Sequence, residues 1–193
     1  GVGCESCHGA SELWITSHVE DDAKYSANIA NGMTDLKNIS VKSKLCISCH
    51  LGDEDRKITH EIYGAGHPRL SFELDTYESV MPRHWALSKD HDPVREWLIG
   101  LAVQTKIRIL TAGREGNFIH NMPDFTAYPC TTCHHSLNKE EYKRRDYGNR
   151  PGTLKLNFAE LKILSEVTKV FDKDLSTKLQ EMYKNLIVLK TVD

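Results

Sequence analysis

The sequence predicts a mainly α-helical chain with extensive loops, and three observations predict it. Residues 93–112 carry a helical apolar stripe behind a strong start signal, and residues 158–190 carry two more in succession. The stretches between are polar or histidine-rich. They are punctuated by three copies of one short motif, Cys-x-x-Cys-His. The copies are Cys4-Glu5-Ser6-Cys7-His8, Cys46-Ile47-Ser48-Cys49-His50 and Cys130-Thr131-Thr132-Cys133-His134, the last followed by His135.

The motif copies use all six cysteines. Two thiols one turn apart can form thioethers to the two vinyl groups of one porphyrin, and the adjacent histidine then lies under the iron as proximal ligand. Two other chemistries compete. Disulfides would suit an oxidising compartment, but a Cys-x-x-Cys pair closes a very small loop and is more often redox-active than structural. Zinc accepts cysteine and histidine, but a zinc site does not require a histidine directly after every pair. The expectation is three covalent haem c groups held by Cys4, Cys7, Cys46, Cys49, Cys130 and Cys133, with His8, His50 and His134 proximal. The fold class sharpens accordingly. Residues 1–152 form a multihaem cytochrome c domain organised around stacked haems, and residues 153–193 form a helical C-terminal hairpin.

Bulk properties agree. In 193 residues the hydrophobic share is 39% and the charged share 27%, a modest apolar content that porphyrin surface would supplement. The formal charge is -2 before any haem propionate is added, which argues against nucleic-acid binding. No run of about 18 apolar residues marks a transmembrane helix. Covalent haem attachment takes place outside the cytoplasmic membrane, so a periplasmic or extracellular location is expected. No signal peptide is present, and Gly1 lies three residues before the first haem cysteine. A further N-terminal segment or a partner subunit is therefore expected over the first haem.

The elements follow in order. Ser11 is placed as the N-cap of a short helix ending near His18, which puts Trp14 and His18 on one face. Residues 21–40 read as loop, with Asn31-Gly32 as a turn and Met33 as ordinary packing. Ser40 is placed as the cap of a short helix running into Cys46. Residues 51–92 hold four histidines and little regular pattern. Within them Gly64-Ala65-Gly66-His67-Pro68 is a loop signal, and Arg69 can pair with a propionate. Asp92 and Pro93 start the clearest helix, whose stripe is Val94, Trp97, Leu98, Leu101 and Ile109. Val103, Ile107 and Leu110 widen it toward a mostly buried helix that Gly113 stops. Asn138 with Glu141 starts a basic helix over 139–147. Asn157 with Glu160 starts a helix carrying Phe158, Leu161, Leu164 and Val167, and a second helix near 173–190 carries Leu175, Leu179, Met182, Leu186 and Leu189. This hairpin is read as packing against the haem domain or as docking another subunit.

Histidine supply bears on the irons. Ten histidines less three proximal ones leave His18, His60, His67, His84, His91, His120 and His135 for three distal positions. His67, on its glycine loop, and His84, in Pro82-Arg83-His84-Trp85, are the leading candidates, with His18, His60 and His135 behind them. His91, between aspartates, reads as a surface residue. His135 cannot readily bind the iron of His134 but can face a neighbouring haem. Two imidazoles per iron give low-spin centres with no open position, which favours electron transfer over substrate binding.

Gly1-Val2-Gly3-Cys4-Glu5-Ser6-Cys7-His8-Gly9 resembles a stretch of the tetrahaem cytochromes of nitrifiers, the electron acceptors of hydroxylamine oxidoreductase, and of their wider multihaem relatives. Gly64-Ala65-Gly66-His67-Pro68-Arg69-Leu70, Pro82-Arg83-His84-Trp85 and Cys130–His135 resemble further segments of those relatives. The resemblance covers scattered motifs over about residues 1–137. It implies closely packed, mostly bis-histidine haems, and it implies that His18 serves a haem attached upstream. The doubled histidine is also similar to that of small cytochromes like cytochrome c3, where the second histidine ligates another haem. The expected function is electron transfer, with other haem proteins as redox partners and a homo- or hetero-oligomer compatible with the surplus histidines. Two rivals stand beside it. One is a multihaem enzyme with one five-coordinate haem acting on small nitrogen or sulfur compounds; the Cys-x-x-Cys-Lys motif of related nitrite reductases is absent. The other is a subunit of an extracellular haem wire or larger multihaem complex.

Overall fold

The computed structural model describes residues 2–53, 55–67, 72–115, 124–136 and 155–187, with the backbone alone for 113–115. Arg69, His120, Leu189 and the helix expected over 139–147 lie outside the described residues. Among the described residues the chain is helical and loop-rich, with no strand. Eight α-helices follow in order: α1 Cys4–His8, α2 Tyr25–Ala30, α3 Ile39–His50, α4 His60–Gly64, α5 Leu74–Val80, α6 Pro93–Glu115, α7 Ala159–Thr168 and α8 Lys173–Leu186. Short 3₁₀ turns lie at Ser17–Val19, Phe125–Ala127 and Cys130–Thr132.

Several starts differ from expectation for identifiable reasons. Ser11 caps no regular helix, because its hydroxyl and its backbone N–H both donate to Glu5 Oε1, at 2.6 and 2.9 Å. The chain instead coils in turns through Trp14 to the 3₁₀ turn at His18. Residues 21–40 are not all loop, since α2 forms there without a side-chain cap; the predicted Asn31-Gly32 turn closes it, with Gly32 at φ +100°. The cap of α3 is Asn38 rather than Ser40: Asn38 Oδ1 accepts from the N–H groups of Ser40 and Val41. The histidine-rich stretch holds α4, capped by Thr59, and α5, capped by Glu73.

Helix α6 begins as predicted, with Asp92 Oδ1 accepting from Val94 and Arg95 N–H. It runs through Gly113 to Glu115. It is not mostly buried: Val94 and Leu110 are exposed, and the buried face is Gly100, Leu101, Gln104 and Thr105. A Cβ on Gly100 would lie 2.9 Å from Leu74 Cβ, so the absence of a side chain lets α5 approach α6 this closely. The Asn157–Glu160 capping box does not form. Phe158 is the N-cap of α7, and the Glu160 carboxylate is drawn away to accept from Gln104 Nε2 of α6 at 3.0 Å. Asp172 caps α8, and the buried Ser176 hydroxyl donates to Ser165 O across the α7–α8 hairpin.

Two apolar clusters form the core. The first is Ile47, Phe72 and Leu74, with Ile39, Leu51, Tyr77, Val103 and Ile107 packed on it. The second is Tyr128, Leu156, Phe158 and Leu161, joined by Ile109, Ala112, Leu179, Tyr183 and Leu186. Helix α6 contributes to both, so it is the spine to which α3, α5 and α7 attach.

One ion cluster ties α3, α5 and α6. Lys42 Nζ stands 2.6 Å from Glu78 and 3.2 Å from Glu96, and Glu96 also meets His91 Nδ1 at 3.4 Å. Burial holds the Glu78 carboxyl above its usual range. Lys42→Met leaves two half-buried carboxylates facing each other, and near neutral pH the expected loss of stability is about 1–3 kcal/mol. The sign with pH follows from Glu78. Its folded pKa is already raised and rises further without Lys42, so the folded state binds the proton more readily than the unfolded one. The deficit of the variant therefore shrinks as pH falls through the carboxylate range. Urea unfolding at a series of pH values checks this; a deficit that grows on acidification contradicts it.

Candidate functional site

Each motif sits on a helical turn: α1, the end of α3, and the 3₁₀ turn Cys130–Thr132. In the first, α1 is a single helical turn, so Cys4 and Cys7 are three residues apart on one face. Thr34 N–H donates to His8 O at 2.9 Å and anchors the end of the motif. The half-buried His8 ring faces His84, with ring centroids 5.9 Å apart and planes crossed at 74°. Burial and the neighbouring His84 push the His8 imidazole below its usual range. His84 Nδ1–H donates to Pro82 O at 3.3 Å, which leaves Nε2 as the ring's lone-pair nitrogen. Trp85 lies edge-on to His84 at 5.0 Å.

Trp14 is buried beside this site, its indole N–H donating to Ala10 O at 2.8 Å. The shared Trp14–His18 face is present, with the rings edge-to-face at 5.6 Å. His18 Nδ1–H donates to Ile15 O, so its Nε2 also carries the lone pair. Around these rings Leu13, Ile15, Val19 and Met81 expose apolar side chains.

The second motif is the last turn of α3. Ile47, between its cysteines, is fully buried in the first core cluster. Burial, followed by the charge of Cys7 and Glu78, pushes the Cys46 thiol up to about 11. The first and second motifs are thus electrostatic neighbours. Cys49 Sγ accepts from Arg56 Nη1 at 3.2 Å, and Arg56 Nη2 also bonds Asp53 and Ser48. The turn that brings Arg56 back requires Gly52: its φ is +87°, and a Cβ there would lie 2.3 Å from Arg56 O. The His50 ring is held by Tyr77 at 4.6 Å and Phe72 at 5.4 Å, and burial lowers its pKa. Its Nδ1 is buried with no hydrogen-bond partner among the described residues.

The third motif is the 3₁₀ turn Cys130–Thr132, which His134 N–H closes by donating to Cys130 O at 2.8 Å. His134 faces His60, with centroids 6.1 Å apart and planes only 25° from parallel. His60 is held from two directions: its backbone N–H donates to Asp124 Oδ1 at 3.0 Å, and Phe125 meets its ring edge-to-face at 5.4 Å. His135 is half-buried and its Nδ1–H donates to Ser136 O at 2.7 Å.

Of the other candidates, His67 is exposed just beyond α4, where its N–H donates to Ile62 O and Gly66 takes φ +99°. His91 is spent on Glu96, in keeping with its reading as a surface residue. Sequence reasoning missed Arg56, Phe72, Tyr77, Asp124 and Phe125. Each comes from a stretch outside the motif it supports and carries no local signal of that role.

These residues fit haem better than zinc or disulfide. The six thiols are unbonded. Among the described residues no three of His, Cys, Asp and Glu converge as a zinc site needs. The repeated arrangement is instead a thiol pair ending in an imidazole, in two cases with a second imidazole opposite and apolar side chains exposed nearby. Comparison with protein-family models, curated proteins and solved structures returns no match for this chain.

Proposed function

We propose that this chain is an electron-transfer cytochrome holding three covalent haem c groups, mostly with two histidines per iron. The observation that carries the reading is the threefold recurrence of Cys-x-x-Cys-His on helical turns, with unbonded thiols, two of the three motif histidines facing a second imidazole. When bound, haem c supplies reversible one-electron transfer. The chain's own residues do the rest. Cys4, Cys7, Cys46, Cys49, Cys130 and Cys133 would tether the group, and His8, His50 and His134 would each ligate its iron through one ring nitrogen. The imidazoles that face His8 and His134 would, with haem bound, fill the remaining ligand position at those sites and leave no place for a substrate. Trp14, Tyr77, Phe72 and Phe125 pack on the ligand rings and fix their orientation.

Cys7 lies near enough to Cys46 to help raise its thiol pKa, which supports closely spaced groups and hence passage of electrons between them. Redox proteins, other haem proteins among them, are the partners this chemistry calls for. Attachment chemistry sets the compartment as periplasmic or extracellular. No helix among the described residues is long and apolar enough to cross a membrane.

The test is production in cells that carry the c-type haem maturation machinery. Intact mass is expected to equal the chain plus three haems, and low-temperature EPR of the oxidised protein to be dominated by low-spin iron. A protein that emerges without haem overturns the reading. A large high-spin signal that shifts with nitrite or hydroxylamine moves it to the enzyme class.

A further inference from the structure

We propose that His84 is the axial partner of His8 and His60 the axial partner of His134, with crossed ring planes at the first site and near-parallel planes at the third. The assignment rests on the haem reading above. Two imidazoles on opposite sides of one iron stand about 6 Å apart centre to centre, because each metal–nitrogen bond is about 2 Å and each ring centre lies about 1 Å behind its nitrogen. The observed separations are 5.9 and 6.1 Å.

Aromatic contact alone permits such distances. What it does not select is the membership of the pairs. Each of the two imidazole pairs joins one motif histidine to one histidine far away in the chain, 84 − 8 = 76 and 134 − 60 = 74 residues apart. The distal rings are also prepared. His84 donates through Nδ1 to Pro82 O, which leaves Nε2 for a metal. His60 is positioned by Asp124 at its backbone and by Phe125 at its ring. Among the described residues His91 is paired with Glu96 and His18 meets Trp14 edge-to-face.

The ring angles give each pair its own signature. Crossed planes, at 74°, nearly equalise the two iron orbitals that the imidazole π systems perturb, and the low-spin EPR signal becomes strongly axial with a very large principal g value. Near-parallel planes, at 25°, split those orbitals and give an ordinary rhombic signal.

The experiment compares the three-haem protein with His84→Ala and His60→Ala, reading haem content by intact mass and spin state by EPR. In each variant one haem of the three is expected to become high-spin. His84→Ala loses the strongly axial component and His60→Ala loses a rhombic one. Three retained haems with unchanged low-spin signals in either variant overturn that pairing, and exchange of the two signatures overturns the assigned ring angles. Wild-type protein without haem would instead sink the haem reading itself, so the two failures are distinct. His84→Met and His60→Met give a second readout that keeps a sixth ligand. Each is expected to stay low-spin and to gain the sulfur-to-iron absorption band that two imidazoles do not produce, and a haem-loaded variant lacking that band overturns the pairing.

Discussion

Ile47→Ala is expected to lower the stability of the protein by about 2–5 kcal/mol, the range for emptying a fully buried aliphatic site. Ile47 has no exposed surface and packs with Phe72 and Leu74 on the buried face of the helix that carries Cys46, Cys49 and His50. Its position between the two thiols gives the substitution a second effect. The cavity lies beneath the motif, so Phe72 and Tyr77, which hold the His50 ring, lose their support. The variant should therefore show a broadened or shifted spectrum for one haem as well as a lower urea midpoint. Circular dichroism during unfolding, followed beside the visible absorption band, reads both. A loss below about 1 kcal/mol would show that the first cluster collapses around the gap and does not depend on Ile47 for its packing.

The second large effect is expected from the double variant Cys130→Ala, Cys133→Ala. Intact mass should fall from three haems to two, with no intermediate species. The consequence reaches beyond the lost group. His134 lies just beyond the short 3₁₀ turn Cys130–Thr132, while His60 is tied to Asp124 and Phe125. If a metal joins the two rings as proposed, its loss removes one tie between the third motif and the His60 stretch and leaves the hydrogen bonds of Asp124 and Thr126, upstream of the motif, as links between the segments. Proteolysis should then cut near residues 130–136 in the variant while sparing α3 and α6. Full retention of three haems would exclude Cys130 and Cys133 as the tether.

The start of α6 was legible in the sequence because Asp92 and Pro93 mark it locally. The chemistry proposed for the motifs rests on spacing of the same local kind. The failures have a common cause. Asn157 and Glu160 satisfy a local rule, but Glu160 finds Gln104 of another helix, and the long-range hydrogen bond wins. Ser11 satisfies another, but its hydroxyl is taken by Glu5. Helix α2 begins at Tyr25 with no capping side chain, and α5 begins behind Glu73, a residue seldom read as a cap. The partnership of His8 with His84 and of His60 with His134 links positions more than seventy residues apart, and no spacing rule reaches that far. His67, on its glycine loop, lies exposed just beyond α4.

Helix α6 has a dynamic consequence. It lends Val103 and Ile107 to one cluster and Ile109 and Ala112 to the other, within ten residues. A rod that supplies wall to two chambers cannot fray at one without loosening the other. The two halves should therefore open together, as one cooperative unit, and the amides in the middle of α6 should be the slowest in the protein to exchange with deuterium, whichever end of the molecule is disturbed.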